Sequence, residues 1–195
     1  MKSRDHRARV TQILIQKALT KLLREKPIHR ISVKELCEEA GINRGTFYAH
    51  YTDIYDLLKQ MEDDLVADLQ KAMEPLMRED AQEPTLVGIT SVIFRCLKEN
   101  ADICAVTLGP YGDREFVGRL LDSARESCLA VYARNFDATP WQLECYYAFA
   151  SAGCIGLLEK WVAEGMEGSA EELADIAGGI MAQGSGFLRH PEGAK

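Results

Sequence analysis

One stretch, Val33 to Tyr51, constrains this chain more than any other. It reads VKELCEEAGINRGTFYAHY, and its spacing predicts two short helices joined by a tight turn. In the first, Val33 to Ala40, Ser32 and Glu35 stand in the S-x-x-E spacing that lets each satisfy an amide left open at a helix start. Leu36, Cys37 and Ala40 recur at three- and four-residue intervals and share one face. Gly41 follows, and glycine accepts the left-handed conformation that ends many helices. Ile42 is an apolar plug in the turn. Asn43 is a good N-cap for the second helix, predicted over Arg44 to Tyr51. Phe47 and Tyr51, four residues apart, take its inner face.

The residues left outside have a common chemistry. Arg44 can fork onto a guanine edge. Gly45 lets a backbone approach closely. Thr46, Tyr48 and His50 can contact phosphate oxygens. Tyr51, at the end of the run, and Ser32 and Lys34, at the start of the first helix, complete the set of candidate DNA contacts. A helix-turn-helix with this outer face is a device for reading double-stranded DNA. By spacing alone, the same pattern also suits an ordinary helical hairpin with a polar surface.

The longer string GINRGTFYAHYTDIYDLL closely resembles the DNA-binding signature of the TetR/AcrR family of transcriptional regulators. The likeness lies in the turn glycine, the T-x-Y-x-H-Y run and a following helix that opens with Leu57 and Leu58. It covers roughly the first third of the chain. The sequence departs from it at Ile54, where many relatives carry a lysine that meets a phosphate; the amides of that helix start remain available to an anion. The resemblance implies an all-α fold, with a three-helix DNA-binding head followed by a helical regulatory and dimerisation body.

Composition bounds the remaining classes. Hydrophobic residues make up 47% of the 195 and charged residues 27%, a globular balance. No apolar run is long enough to span a membrane. The start, MKSRDHRARV, is basic and polar rather than a signal sequence, so a cytoplasmic protein is expected. The net charge of −7 looks wrong for a DNA binder until it is divided. Residues 1–52 hold 11 Lys or Arg against 5 Asp or Glu, whereas the rest hold 12 against 25. A basic head on an acidic body suits a protein that meets DNA with one end. Six scattered cysteines (Cys37, Cys96, Cys104, Cys128, Cys145 and Cys154) include no C-x-x-C pair, so buried reduced thiols and no metal site are expected. No nucleophile elbow, paired acid and base or phosphate-cradling loop points to an enzyme, and no cofactor is expected.

Helical periodicity recurs along the whole chain, and about nine helices are predicted. Lys2, Arg4, Arg7 and Arg9 read either as a frayed terminus or as a basic arm reaching DNA. A helix follows from Arg7 to Arg24, with a stripe of Val10, Leu14, Ala18 and Leu22 widened by Ile15 and Leu19. His29 reads as a loop residue. A helix capped by Thr52 or Asp53 and running to Met73 or Glu74 joins the head, residues 1–52, to the body, residues 53–195. Beyond a polar loop at 79–84, helices are predicted at about 85–99, 100–108 and 114–134. A turn at 109–113 ends with Asp113 as a cap. Thr139-Pro140 opens a helix that Gly165 ends, and a Ser169/Glu172 box opens the last, to about Gln183; the tail from Gly184 is expected to be loose.

The stretch from Tyr147 to Glu172, with G-x-x-G-L-L-x-x-W and then G-x-x-x-S-x-E-E-L, looks like the regulatory region of a TetR subgroup. Small residues there allow close helix approach. Gly153, Gly156, Leu157, Ala177 and Met181 are the candidates for a homodimer interface built from the last two helices of two chains. Phe94, Cys104, Tyr111, Phe116, Tyr146 and Trp161 are candidates to line a pocket for a small-molecule effector of unknown identity. The resulting expectation is a homodimeric regulator, a repressor, that binds a palindromic operator and is released by its effector. The competing reading keeps the fold but acts through a protein partner, as a coactivator-like module.

Overall fold

A computed structural model describes residues 2–77, 85–109, 111–112 and 114–184, with the backbone alone for 2–5, 7 and 114. The described residues form nine α-helices, two short 3-10 turns and no strand. The loop predicted at 79–84, the Asp113 cap and all but the first residue of the C-terminal tail lie outside them, as do the side chains of Lys2, Arg4 and Arg7.

The first helix, α1 (Lys2–Glu25), begins before the predicted Arg7. Its buried stripe is Ile15, Ala18, Leu19, Leu22 and Leu23, whereas Val10 and Leu14 are 43% and 46% exposed. The predicted stripe therefore holds only in the second half of the helix, the part that lies across α2 (Val33–Ala40). A 3-10 turn at Ile28–Arg30, with His29 exposed, makes the connection.

The helix α2 has the predicted bounds, with one of the two predicted cap bonds in place and the Glu35 carboxylate turned to Lys26 instead. Ser32 Oγ accepts from the Glu35 amide at 3.2 Å. Gly41 ends the helix with φ at +66°. Its amide donates to the Glu38 carbonyl and the Ile42 amide to the Cys37 carbonyl, the paired bonds of a left-handed helix stop. The recognition element α3 is shorter than predicted: it spans Arg44–Tyr48 and not Arg44 to Tyr51. The chain leaves it because the next helix start claims residues 52 and 53. Asp53 caps α4 (Ile54–Met73) by accepting from the Asp56 amide at 2.8 Å, and Asp56 in turn accepts from the Thr52 amide at 2.8 Å.

The body is a bundle. Helix α4 packs on α5 (Leu86–Glu99) and α7 (Arg114–Asn135), and α6 (Ala101–Thr107) reaches back to α1. Helix α8 (Pro140–Ala163) opens with both bonds of a Thr139/Gln142 capping box. Helix α9 (Ala170–Gly184) opens with both bonds of the Ser169/Glu172 pair. Helix α9 lies close against α5. A side chain at Gly178 would come within 2.6 Å of Val87 Cγ2 and 2.8 Å of its Cα. Beside it the buried Thr90 hydroxyl reaches the Ala174 carbonyl at 3.2 Å.

That packing corrects part of the predicted dimer surface. Ala177 and Met181 are buried, at 3% and 7% exposure, with Ala170, Ala174 and Gly178 on the face that α5 occupies. Gly153 and Gly156 do lie on the outside of α8, with open space where a side chain would stand, and Leu157 is half-buried.

Candidate functional site

The outward face of α3 is held by its cap. Asn43 Oδ1 accepts from the Thr46 amide at 2.8 Å and from the Thr46 hydroxyl at 3.1 Å. A side chain at Gly45 would stand 3.2 Å from that same oxygen, so glycine keeps the cap undisturbed. Underneath, Phe47 is fully buried, and its ring lies 5.7 Å from that of Tyr51. The exposed side carries Arg44, Gly45 and Tyr48, with Thr46 and His50 half-exposed. Among the described residues no ion pair takes up Arg44. Tyr48 is 57% exposed and braced edge-on against Phe47 at 5.4 Å.

Two predicted contacts change character. Tyr51 is only 3% exposed, so it is a support for α3 and not a surface contact; its four-residue spacing from Phe47 was the stronger signal. The Thr46 hydroxyl donates to the cap, so an approaching phosphate would compete with that bond. Ser32 is exposed but spends its oxygen on the α2 start, and Lys34 is exposed with Glu38 at 3.8 Å. The neighbouring cations Lys21 and Lys26 pair with Glu39 and Glu35 on α2. The Lys26 ammonium beside Glu35 holds that carboxyl below its usual range.

At the start of α4, Ile54 is 5% exposed and part of the core, which explains why no cation stands there. The adjacent Tyr55 is 57% exposed in the first turn of α4. Sequence reasoning missed it, although its position off the Leu57, Met61 and Leu65 stripe already placed it outside.

The head is tied to the body in two ways. Arg24, near the end of α1, meets Asp102 of α6 at 2.9 Å. Helix α4 itself continues into the bundle, where Arg119 of α7 clamps it through Glu62 at 2.5 Å and Asp63 at 2.8 Å. Glu62 is 4% exposed. Lys59 reinforces the clamp and, with Arg119, holds the Asp63 carboxyl low.

The six predicted effector-lining residues do not converge on one space. Phe94, Cys104 and Phe116 are fully buried core. Tyr111 is 51% exposed in the turn before α7. Tyr146 donates to the Met181 carbonyl at 3.0 Å and stacks edge-on with Tyr132 and Phe136, pinning α9 to α8. Trp161 donates from its ring nitrogen to the Glu167 carbonyl at 2.6 Å and carries Lys98 over its face, bracing the α8–α9 turn. Among the described residues a small apolar space of about 60 Å³ lies apart from all six, walled by Leu69 of α4, Leu97 of α5, Leu120 and Cys128 of α7, and Tyr147 and Leu158 of α8.

The cysteines divide by depth. Cys37, Cys96, Cys104 and Cys128 are buried as expected, Cys154 is half-buried, and Cys145 is the exposed exception. Burial pushes the Cys96 thiol up to about 11 and the Cys104 thiol up to about 12. Cys145 stands on α8 between Trp141 and Phe149, which are 75% and 77% exposed; Ile176 and Ile180 of α9 are 53% and 58% exposed. Among the described residues no group of three or more ligating side chains could hold a metal ion, and no helix is long and apolar enough to cross a membrane.

Comparison with known proteins brings both halves of this geometry together. Residues 15–61 match the model of the bacterial regulatory proteins of the tetR family. Residues 85–183, just over half of the chain, match the C-terminal region of a TetR group of transcriptional regulators. The chain belongs to the TetR family of transcriptional regulators. A TetR regulator is a DNA-binding protein and not an enzyme, and the all-α architecture is that of the family.

Over 59 residues the chain is 32% identical to YxbF, an uncharacterized HTH-type transcriptional regulator of Bacillus subtilis; the match takes in 30% of this chain and 16% of that protein. Among solved structures it is similar to NalD of Pseudomonas aeruginosa, the secondary repressor of the MexAB-OprM multidrug efflux pump. There the TM-score is 0.71 and the identity 19%, over 90% of this chain and 97% of that one. It is also similar to FadR of Bacillus subtilis, solved in complex with stearoyl-CoA, with a TM-score of 0.67 and 15% identity, over 88% and 98% of the two chains. At these identities the structural likeness speaks for the fold alone.

Proposed function

We propose that this TetR regulator is a repressor that binds a palindromic operator as a homodimer and is released by a small molecule held in its body. Residues 1–52 are the reading head and residues 53–195 the effector and dimer body. The observation that carries the reading is the outward face of α3, where Arg44 and Tyr48 stand exposed on a helix fixed by the Asn43 cap and the buried Phe47. The division of charge supports it, since the acidic body repels the wrong approach of DNA. Arg44, at the helix start, reaches a base edge. Tyr48 and Tyr55 contact phosphates, with His50 and Lys34 beside them.

One five-residue reading helix covers only a few base pairs, so a two-fold pair of heads is what makes a site selective. The apolar outer face of α8 and α9, with Trp141, Phe149, Ile176 and Ile180 exposed, is the surface where a second copy sits. Gly153 and Gly156 let the two α8 helices approach. Release follows if the effector binds the arrangement that cannot reach both half-sites more tightly than the one that can. Helix α4 carries the displacement, because it runs from Tyr55 beside the head to the buried Leu69 in the body. NalD, a repressor, and FadR, seen with a ligand, are the relatives whose roles agree with this reading.

The test compares two substitutions at one salt concentration, because the electrostatic part of binding moves with salt. Arg44→Ala should cost about 1–3 kcal/mol on the operator and relax preference at one base pair per half-site, with less loss on random DNA. Tyr48→Phe should weaken all sequences alike by about 0.5–1.5 kcal/mol. Operator binding unchanged in both, with fold and dimer intact, refutes the reading. It would leave the coactivator-like module, which the buried Ile54 in place of a phosphate-binding lysine favours.

A further inference from the structure

The DNA-binding head and the start of α4 are one piece. Only residues 49–53 separate α3 from α4, and Phe47, Tyr51, Ile54 and Leu57 are buried in a common core. Whatever fixes the rotation of α4 about its own axis therefore fixes the direction in which α3 faces. The body grips α4 at Glu62 and Asp63, about 12 Å along the helix from Ile54. One guanidinium reaches both: Arg119 Nη2 donates to Glu62 Oε2 at 2.5 Å, and Nη1 donates to Asp63 Oδ1 at 2.8 Å. Successive residues of a helix point about 100° apart, so a planar group bonded to two of them resists both turning and sliding. Behind it the guanidinium lies over the buried Phe116 ring, 5.6 Å from the centroid. Lys59 holds the other oxygen of Asp63, Oδ2, at 2.6 Å.

The other ion pair between head and body is weaker. Arg24 and Asp102 meet with both side chains exposed, where water and salt screen them. Glu62 is buried, so its bond to Arg119 is screened far less. Given two heads on one palindrome, which rests on the reading above, we propose that Arg119 is a positioning residue for operator recognition. Its fork on Glu62 and Asp63 sets the angle of each head, and so the half-site spacing that the dimer accepts. For stability alone, apolar residues of similar volume would often serve as well as a buried ion pair. What they lack is direction, and direction is what two heads on one duplex require.

The experiment uses the full chain and the palindrome that the wild type selects from random duplexes. Beside it stand the same duplex with one base pair added or removed at its centre, and a duplex carrying one half-site. One base pair displaces the half-sites by about 3.4 Å and turns them by about 35°. On either altered spacing the wild type should lose about 5- to 150-fold in affinity, the range of an ordinary coupling between sites. Arg119→Lys keeps a charge against Glu62 but cannot fork. It should bind the single half-site within about twofold of wild type, since no DNA contact is touched, with a spacing penalty at least about threefold smaller. Glu62→Leu with Arg119→Met leaves Asp63 to Lys59 and serves if the first variant does not fold. It should bind the selected palindrome more weakly and accept the three spacings nearly alike. A folded, dimeric variant that keeps the wild-type spacing penalty overturns the role of Arg119 and leaves the operator reading intact. Equal loss on the half-site and on every spacing overturns it too, because the head itself is then damaged. A wild type that selects no palindrome refutes the operator reading, and the role of Arg119 with it.

Discussion

Replacing Phe149 by alanine isolates the energy of the proposed dimer face. In the single chain Phe149 is 77% exposed, so most of its ring is open for a second copy to cover. Full burial of a phenylalanine contributes about 1.5–3 kcal/mol. Scaled by the exposed fraction and counted once for each copy, the change removes roughly 2–5 kcal/mol of association energy. Since about 1.4 kcal/mol is a factor of ten, the dimer dissociation constant should rise between roughly 30-fold and a few thousand-fold. Sedimentation equilibrium across a concentration series reads this directly. The folded monomer should be unharmed, because the inner face of α8, with Leu143, Tyr147, Ala150 and Leu158, keeps its contacts. Operator affinity should fall in parallel at protein concentrations where the variant is monomeric. A wild type that stays monomeric at micromolar concentration, or a variant constant within threefold of wild type's, would refute the assignment of this face.

Gly178→Ala should lower the melting temperature through α5 and α9 alone. Overpacking of this kind costs about 1–3 kcal/mol, or roughly 2–10 °C for a chain of this size, and unchanged melting would contradict the close approach to Val87. The carboxyl of Asp56 is held below its ordinary value of 3.8 by bonds from the Thr52 amide and from Gln60. Its stabilising contribution is therefore complete above that value and lost as pH falls through the lower folded one. Asp56→Asn should be less stable than wild type at neutral pH, with the gap closing in acid; a gap independent of pH in denaturant titrations would count against it. Mild peroxide should leave operator affinity within a factor of about two, because the deep thiols are protonated and inert. A bulky maleimide should label Cys145 slowly in wild type and faster in the Phe149→Ala variant, and equal rates by mass spectrometry would argue that a second copy does not cover it.

Local chemistry was legible in the residues themselves. The bounds of α2, the left-handed Gly41, the Asn43 cap and the starts of α8 and α9 each depend on hydrogen bonds between residues three to five positions apart. Spacing along the chain is enough to read such bonds. The burial of Phe47 and Tyr51 was legible for the same reason, because one helical turn relates them. Even the end of α3 was within reach: Thr52 or Asp53 stood out as the cap of the next helix, and Asp53 is that cap, which leaves α3 no room to run to Tyr51.

Choices between faces belonged to the tertiary structure. Helix α9 is apolar on two sides. Ala174, Ala177 and Met181 make one, Ile176 and Ile180 the other, and the periodicity of the helix serves both equally. The approach of α5, close enough to exclude a side chain at Gly178, turns the first side inward and leaves the second exposed. In the same way, Phe94, Phe116 and Trp161 are buried, yet none of them walls the small space between α4, α5, α7 and α8. That space is walled instead largely by aliphatic residues that no motif distinguishes. Periodicity states that a side chain leaves water. Which neighbours it meets depends on how each helix is rotated against the others, and that rotation is set by packing among residues far apart in the chain.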